Sequence, residues 1–167
     1  MDIIRYIGKY VNFVERDDWE FAERKNCLGV VVILARTKDN EYLLVEQFRK
    51  PVNARVIEFP AGLYADEDKF ETQIAAAERE LLEETGYKAG SLTYLFSGPS
   101  SSGITDEIQH FYFADNCEKV TDKLGVDDED LTLHVVPAKV MREFLAEQAK
   151  QENTFIEPKV WLYFQTL

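Results

Sequence analysis

The chain has 167 residues, 46% of them apolar and 13% aromatic, which is enough to bury a core as one domain spanning 1–167. Its formal net charge of −12 argues against nucleic acid or an anionic membrane as the main partner. The two cysteines, Cys27 and Cys117, show no metal-ligand spacing and read as core thiols of a reducing compartment, the cytoplasm. The opening Met1-Asp2-Ile3-Ile4-Arg5 lacks the apolar stretch of a signal peptide, and the longest apolar run, Leu28 to Ala35, is too short to span a bilayer.

In chain order, residues 9–15 and 19–24 alternate in polarity around Arg16-Asp17-Asp18 and predict an N-terminal hairpin within 1–26. Gly29 to Arg36 is rich in Val and Ile and predicts a buried strand. After the turn Lys38-Asp39-Asn40, Tyr42 to Gln47 returns beside it. Arg55 to Phe59 is a short strand stopped by Pro60. A helix follows and ends at Gly86, with Asp68 and Glu71 spaced as an N-terminal cap and capping box. Leu92 to Phe96, Ile108 to Ala114 and Leu131 to Val136 predict further strands. Pro137 to Ala149 predicts a helix with proline in its first turn, and Pro158 to Leu167 a last one. Strands outnumber helices and flank them, which predicts an α/β fold with a mixed sheet covered by helices.

The helix after Glu71 carries Arg79-Glu80-Leu81-Leu82-Glu83-Glu84-Thr85-Gly86-Tyr87. At about 100° per residue, Glu80, Glu83 and Glu84 share one arc, while Phe70, Ile74, Ala77, Leu81 and Leu82 face the other way and are expected to be buried. Carboxylates this close repel one another unless a cation lies between them, and such oxygen clusters suit Mg²⁺. A solvated acidic helix face is the alternative reading of the charges alone.

The pattern Glu-x7-Arg-Glu-Leu-x-Glu-Glu-x-Gly-Tyr resembles the Nudix box. The resemblance is close over the helix and loose over much of the remaining chain. Gly62 lies nine residues before Glu71, so the loop Leu63 to Phe70 carries three residues more than the family pattern. The resemblance implies a Nudix-type α/β/α sandwich. It also implies Mg²⁺ (Mn²⁺ a substitute) held by Glu80, Glu83, Glu84 and the Ala61 carbonyl, with Glu84 the strongest single ligand. Arg79 would orient a carboxylate. Glu71 is either part of this set or only a helix cap.

Trp19 to Arg24, Leu44 to Arg49 and Ile57 to Gly62 together resemble the ADP-ribose pyrophosphatase branch of that family. What this implies is Trp19 stacked on adenine, Arg24 and Arg49 facing the substrate, and a homodimer sharing the site. A hairpin core position for Trp19 and a solvated strand end for Arg49 are the alternatives. The loop Ser101-Ser102-Gly103 resembles a Ser-Pro-Gly loop with Ser102 where the branch has proline. Gly103 would approach the substrate, and the departure at Ser102 leaves other nucleotide sugars open. In the run Asp127-Asp128-Glu129-Asp130 the resemblance points to Glu129 as the group that activates water, with Asp127 and Asp128 as alternates. His110 and His134 read as structural. The expected function is Mg²⁺-dependent cleavage of the diphosphate of a small nucleotide, ADP-ribose first. The alternatives are another nucleotide sugar or dinucleotide, or a module that binds such a ligand without cleaving it.

Overall fold

The computed structural model describes residues 2–125 and 130–165. The first elements are strands β1 (Asp2–Ile7), β2 (Val11–Arg16) and β3 (Trp19–Arg24), which form a three-stranded antiparallel sheet. Asp17 and Asp18, both at positive φ, make the tight turn between β2 and β3, the backbone twist that two-residue hairpins require. The hairpin is as the alternation predicts. The third strand, β1, has every residue exposed and so carries no period-two burial signal.

The main sheet is built from β4 (Gly29–Thr37), β5 (Glu41–Arg49), β6 (Ala54–Glu58), β7 (Ala61–Tyr64), β8 (Tyr87–Lys88), β9 (Ser91–Pro99), β10 (Ile108–Lys119), β11 (Leu131–Pro137) and β12 (Thr154–Ile156). The order β12-β6-β5-β4-β10-β8 mixes parallel and antiparallel pairs, with β11 on β5, β7 on β4 and β9 on β10. In β4, Val30, Val32 and Leu34 enter one core and Val31, Ile33 and Ala35 the other. A strand buried on both faces reads as a continuous apolar run, which is why β4 is plain in the sequence.

Helix α1 (Gln73–Thr85) covers one face through Ala76, Ala77 and Leu81. Helices α2 (Met141–Gln148) and α3 (Pro158–Gln165) cover the other through Met141, Leu145, Val160 and Phe164. The result is the α/β/α sandwich. No described helix is long and apolar enough to cross a membrane.

Three local expectations are corrected. The cap of α1 is Thr72, whose Oγ1 accepts from the Ala75 N–H at 3.2 Å. Asp68 instead closes its own turn by accepting from the Phe70 N–H at 2.9 Å. Phe70, 92% exposed, precedes the helix, and Ile74 is exposed in its first turn, before α1 reaches the sheet. Pro137 ends β11, paired with Glu41, and a 3₁₀ turn (Ala138–Val140) precedes α2. Gly86 closes α1 as expected, at φ 75, with its N–H donated to the Leu82 carbonyl.

Candidate active site

Helix α1 lies against β7, and the contact is made by carboxylates. Glu84, 8% exposed, accepts the Ala61 N–H on Oε2 at 3.0 Å. Glu80 lies against Gly62, where a Cβ would come within 2.0 Å of its carboxylate. A side chain at this position would displace the Glu80 carboxylate.

Arg79 gathers the rest. Its Nε donates to Glu71 Oε1 at 2.8 Å, its Nη1 to Glu80 Oε1 at 2.7 Å and Glu83 Oε2 at 3.2 Å, and its Nη2 to the Leu63 carbonyl at 3.0 Å. Glu71 also accepts from the Ala65 N–H at 3.2 Å. Glu71 is therefore a strut between the β7 exit and Arg79 and not the cap of α1. Arg79 thus holds Glu71, Glu80 and Glu83 at once.

These carboxylates line a cavity of about 350 Å³ together with Asp66, Glu67 and Asp68. The three-residue enlargement of the 63–70 loop thus brings more acid to the site. Burial pushes Glu84 up to about 8, with Glu80 adding to the rise and the Ala61 N–H opposing it. Burial likewise pushes Glu80 up to about 7, opposed by Arg79. One guanidinium does not neutralise this cluster. A hard divalent cation with oxygen preference fits the donor set and the charge deficit. Among the described residues no three carboxylates already converge as a ligand set, because Arg79 stands between Glu80 and Glu83.

On the other side of β7 lies a cavity of about 400 Å³ lined by Arg24, Arg49, Glu58, Ala61, Gly62 and Glu107, among others. Arg49 is held by a two-point fork on Glu58, at 2.6 and 3.0 Å, and Arg24 donates to Glu107 at 2.5 Å. Arg49 is thus no free strand end. A smaller cavity of about 280 Å³ adjoins Asp106 and contains Trp19, Phe21, Ser102 and Thr105. Trp19 is 62% exposed, which excludes the hairpin-core alternative. Its Nε1 donates to the Gly103 carbonyl at 3.2 Å, so two residues read separately in the sequence are joined here.

The structure therefore brings together Arg79, Glu80, Glu83, Glu84 and Ala61 at one cavity edge, and Arg24 and Arg49 at the next. Trp19 and Gly103 lie beyond them. Asp127, Asp128 and Glu129 lie outside the described residues. Sequence reading missed the 66–68 acids, Glu58, and Gln109, Glu157 and Lys159 of the arginine cavity. The last two reach it only because α3 starts there, and no local pattern marks them. His134 has a partner the sequence did not show, Glu46 Oε2 at 2.8 Å, and His110 lies edge-on to Tyr64.

The chain is similar to several known proteins. The chain is 38% identical over 102 residues to the methanol dehydrogenase activator of Bacillus methanolicus, covering 61% of this chain and 54% of that protein. It is 34% identical over 128 residues to the ADP-ribose pyrophosphatase of Bacillus subtilis, covering 75% and 68%. To the GDP-mannose pyrophosphatase of Yersinia enterocolitica it is 36% identical over 117 residues, covering 65% and 59%. The chain thus spans between about half and two thirds of the length of these relatives. A solved structure titled as an ADP compounds hydrolase shares the fold at TM-score 0.69 and 18% identity, over 91% of this chain and 84% of that one. The NUDIX domain model matches residues 25–157, a span that holds the box helix, β7 and Arg49 but not Arg24, and the chain belongs to the NUDIX family.

Proposed function

We propose that the chain hydrolyses the diphosphate of a nucleoside diphosphate derivative, with ADP-ribose, giving AMP and ribose 5-phosphate, the first candidate. The observation that carries this is the position of β7. Ala61 and Gly62 touch the carboxylate helix on one side and line the arginine cavity on the other. Mg²⁺, or Mn²⁺ in its place, would be held by Glu80, Glu83, Glu84 and the Ala61 carbonyl. When bound it supplies polarisation of a phosphoryl oxygen and a lowered pKa for water.

The chain's own residues do the rest. Arg49, held by Glu58, and Arg24, held by Glu107, present their remaining N–H groups to the diphosphate, whose paired oxygens suit guanidinium donors. Trp19 offers its exposed ring to the base. Arg79 holds the carboxylates apart and aligned. Glu129, proposed on the sequence alone, takes the proton of the attacking water. The net charge of −12 disfavours an anionic substrate at long range, so these cations act locally.

We also infer a homodimer and a cytoplasmic location. The apolar residues Ile3, Ile4, Tyr6 and Ile7 of β1 are exposed and suit a second copy. Cys27 and Cys117 are free thiols, as a reducing compartment keeps them. The experiment is a panel of ADP-ribose, GDP-mannose, UDP-sugars, dinucleoside polyphosphates and NADH with Mg²⁺ or with chelator, the products identified and the mass measured by light scattering. Mg²⁺-dependent release of a nucleoside monophosphate is expected. Binding without turnover across the panel would make the chain a sensor.

A further inference from the structure

A row of oxygen-bearing side chains crosses the N-terminal sheet where it meets the 101–107 loop. Asn12 of β2 stands directly opposite Glu23 of β3, and directly opposite residues project to the same face. Beyond β3, Ala22 bridges Thr105 in parallel, with the Ala22 N–H donated to the Ile104 carbonyl at 2.8 Å. That register sets Asp106 beside Glu23, about 4.8 Å further across the sheet. The Asp106 carboxyl turns toward β3, where it accepts the Arg24 N–H. Arg24 and Glu107, one residue on, alternate to the opposite face, where they line the arginine cavity.

Asn12 is only 9% exposed. Its Nδ2 donates to Glu23 Oε2 at 2.9 Å, while its Oδ1 is buried with no hydrogen-bond partner among the described residues. Turning the amide over would not cure this. It would leave the nitrogen without an acceptor and set the oxygen against the Glu23 carboxylate. A buried acceptor left unmet is costly, so Oδ1 calls for a donor or a cation. The charges around it favour a cation. Burial raises the Asp106 carboxyl above its ordinary value, and Glu23 raises it further, by more than Arg16 lowers it. The cations nearby are committed elsewhere. Arg16 forks onto Asp2 at 2.7 and 2.6 Å, Lys25 donates to the Gly8 carbonyl at 2.9 Å, and Arg24 donates to Glu107 at 2.5 Å.

We propose that Asn12 Oδ1, Glu23 and Asp106 form a cation site of the Ca²⁺ class, separate from the carboxylates of α1. Carboxylates, an amide oxygen and waters are the ligand types Ca²⁺ takes, in a flexible shell of about six to eight oxygens. The exposed Asp106 leaves one side open to those waters. Mg²⁺ demands a stricter octahedron, and no nitrogen or sulfur is offered to a softer metal. The ion joins β3 to the loop whose Ser102, Thr105 and Asp106 wall the Trp19 cavity. It fastens the N-terminal sheet to that loop and takes no part in chemistry at α1. The site stands whether or not the chain is a hydrolase.

Calorimetric titration of the full chain with Ca²⁺ tests this. A variant carrying Glu80→Gln, Glu83→Gln and Glu84→Gln together sets binding at α1 aside. A single Ca²⁺ per chain is expected to remain in it, and adding Glu23→Gln or Asp106→Asn should weaken that ion about tenfold or more, as affinity follows the ligand charge count. Should the triple variant not fold, the same two changes in the native chain should weaken one Ca²⁺ by the same factor. Asn12→Asp gives a readout that packing alone does not. Its Tm should lie below the native value in chelator and rise more than the native value when Ca²⁺ is added. Ca²⁺ binding unmoved by Glu23→Gln and Asp106→Asn, or no Ca²⁺ held by a folded triple variant, overturns the proposal and leaves Asn12 Oδ1 to a water. An Asn12→Asp protein that Ca²⁺ does not restore also overturns it. Mg²⁺-dependent turnover is read separately, so its failure removes the hydrolase reading and leaves this site standing.

Discussion

Glu80 occupies the space that a side chain on Gly62 would fill, with its carboxylate 2.0 Å from where that Cβ would stand. The glycine of β7 and the glutamate of α1 are therefore one structural unit. Gly62→Ala should push Glu80 out of line with Glu83 and Glu84. The expected result is a loss of about tenfold or more in kcat, since small misplacements of catalytic groups are costly, with circular dichroism unchanged. A fully active Gly62→Ala would separate Glu80 from the chemistry.

Glu84→Gln keeps the shape and an oxygen for the Ala61 N–H but deletes one anionic ligand. With Glu83→Gln it should lower kcat on the order of 10²-fold, a cost of several kcal/mol at a charged transition state. Near-native kcat in both variants at saturating Mg²⁺ would remove the proposed metal site.

The pH dependence follows from burial. Glu84 titrates near 4.5 when unfolded and near 8 when folded. The folded chain thus holds the proton more tightly, so this contribution to metal-free stability is full below pH 4.5 and lost as pH rises through about 8. Mg²⁺ requires the ionised form. Its binding at pH 7 should release protons, read as a heat that varies with the ionisation enthalpy of the buffer. It should also raise Tm more at pH 8 than at pH 6. Binding heats that are the same in every buffer would contradict the protonated state of Glu84.

Trp19→Ala should raise KM far more than it lowers kcat, by about 1–3 kcal/mol of binding, because stacking on a base acts in ground and transition states alike. Tm should barely move, as the side chain is 62% exposed. An unchanged KM would place the base elsewhere.

Glu129→Gln, with Asp127→Asn and Asp128→Asn beside it, tests the base. Loss of water activation should lower kcat strongly and leave ligand affinity nearly intact. Isolated surface changes are usually worth less than about 0.5 kcal/mol, so a flat result in all three would move the base to Glu80 or Glu107. Glu107 is already engaged by Arg24.

The sequence by itself determined what repeats locally. The double-sided apolar run of β4, the β2–β3 turn, the Gly86 stop and the arc of Glu80, Glu83 and Glu84 all follow from periods and turn chemistry that a few adjacent residues contain. Tertiary structure decided the rest. Glu71 became a strut for Arg79, and Trp19 met Gly103 across 84 positions. Gly62 acquired its purpose only once α1 lay against β7. Such groups are joined by long-range pairing across the sheet, whose register a local window does not contain, and so their roles appear only when the strands are laid side by side.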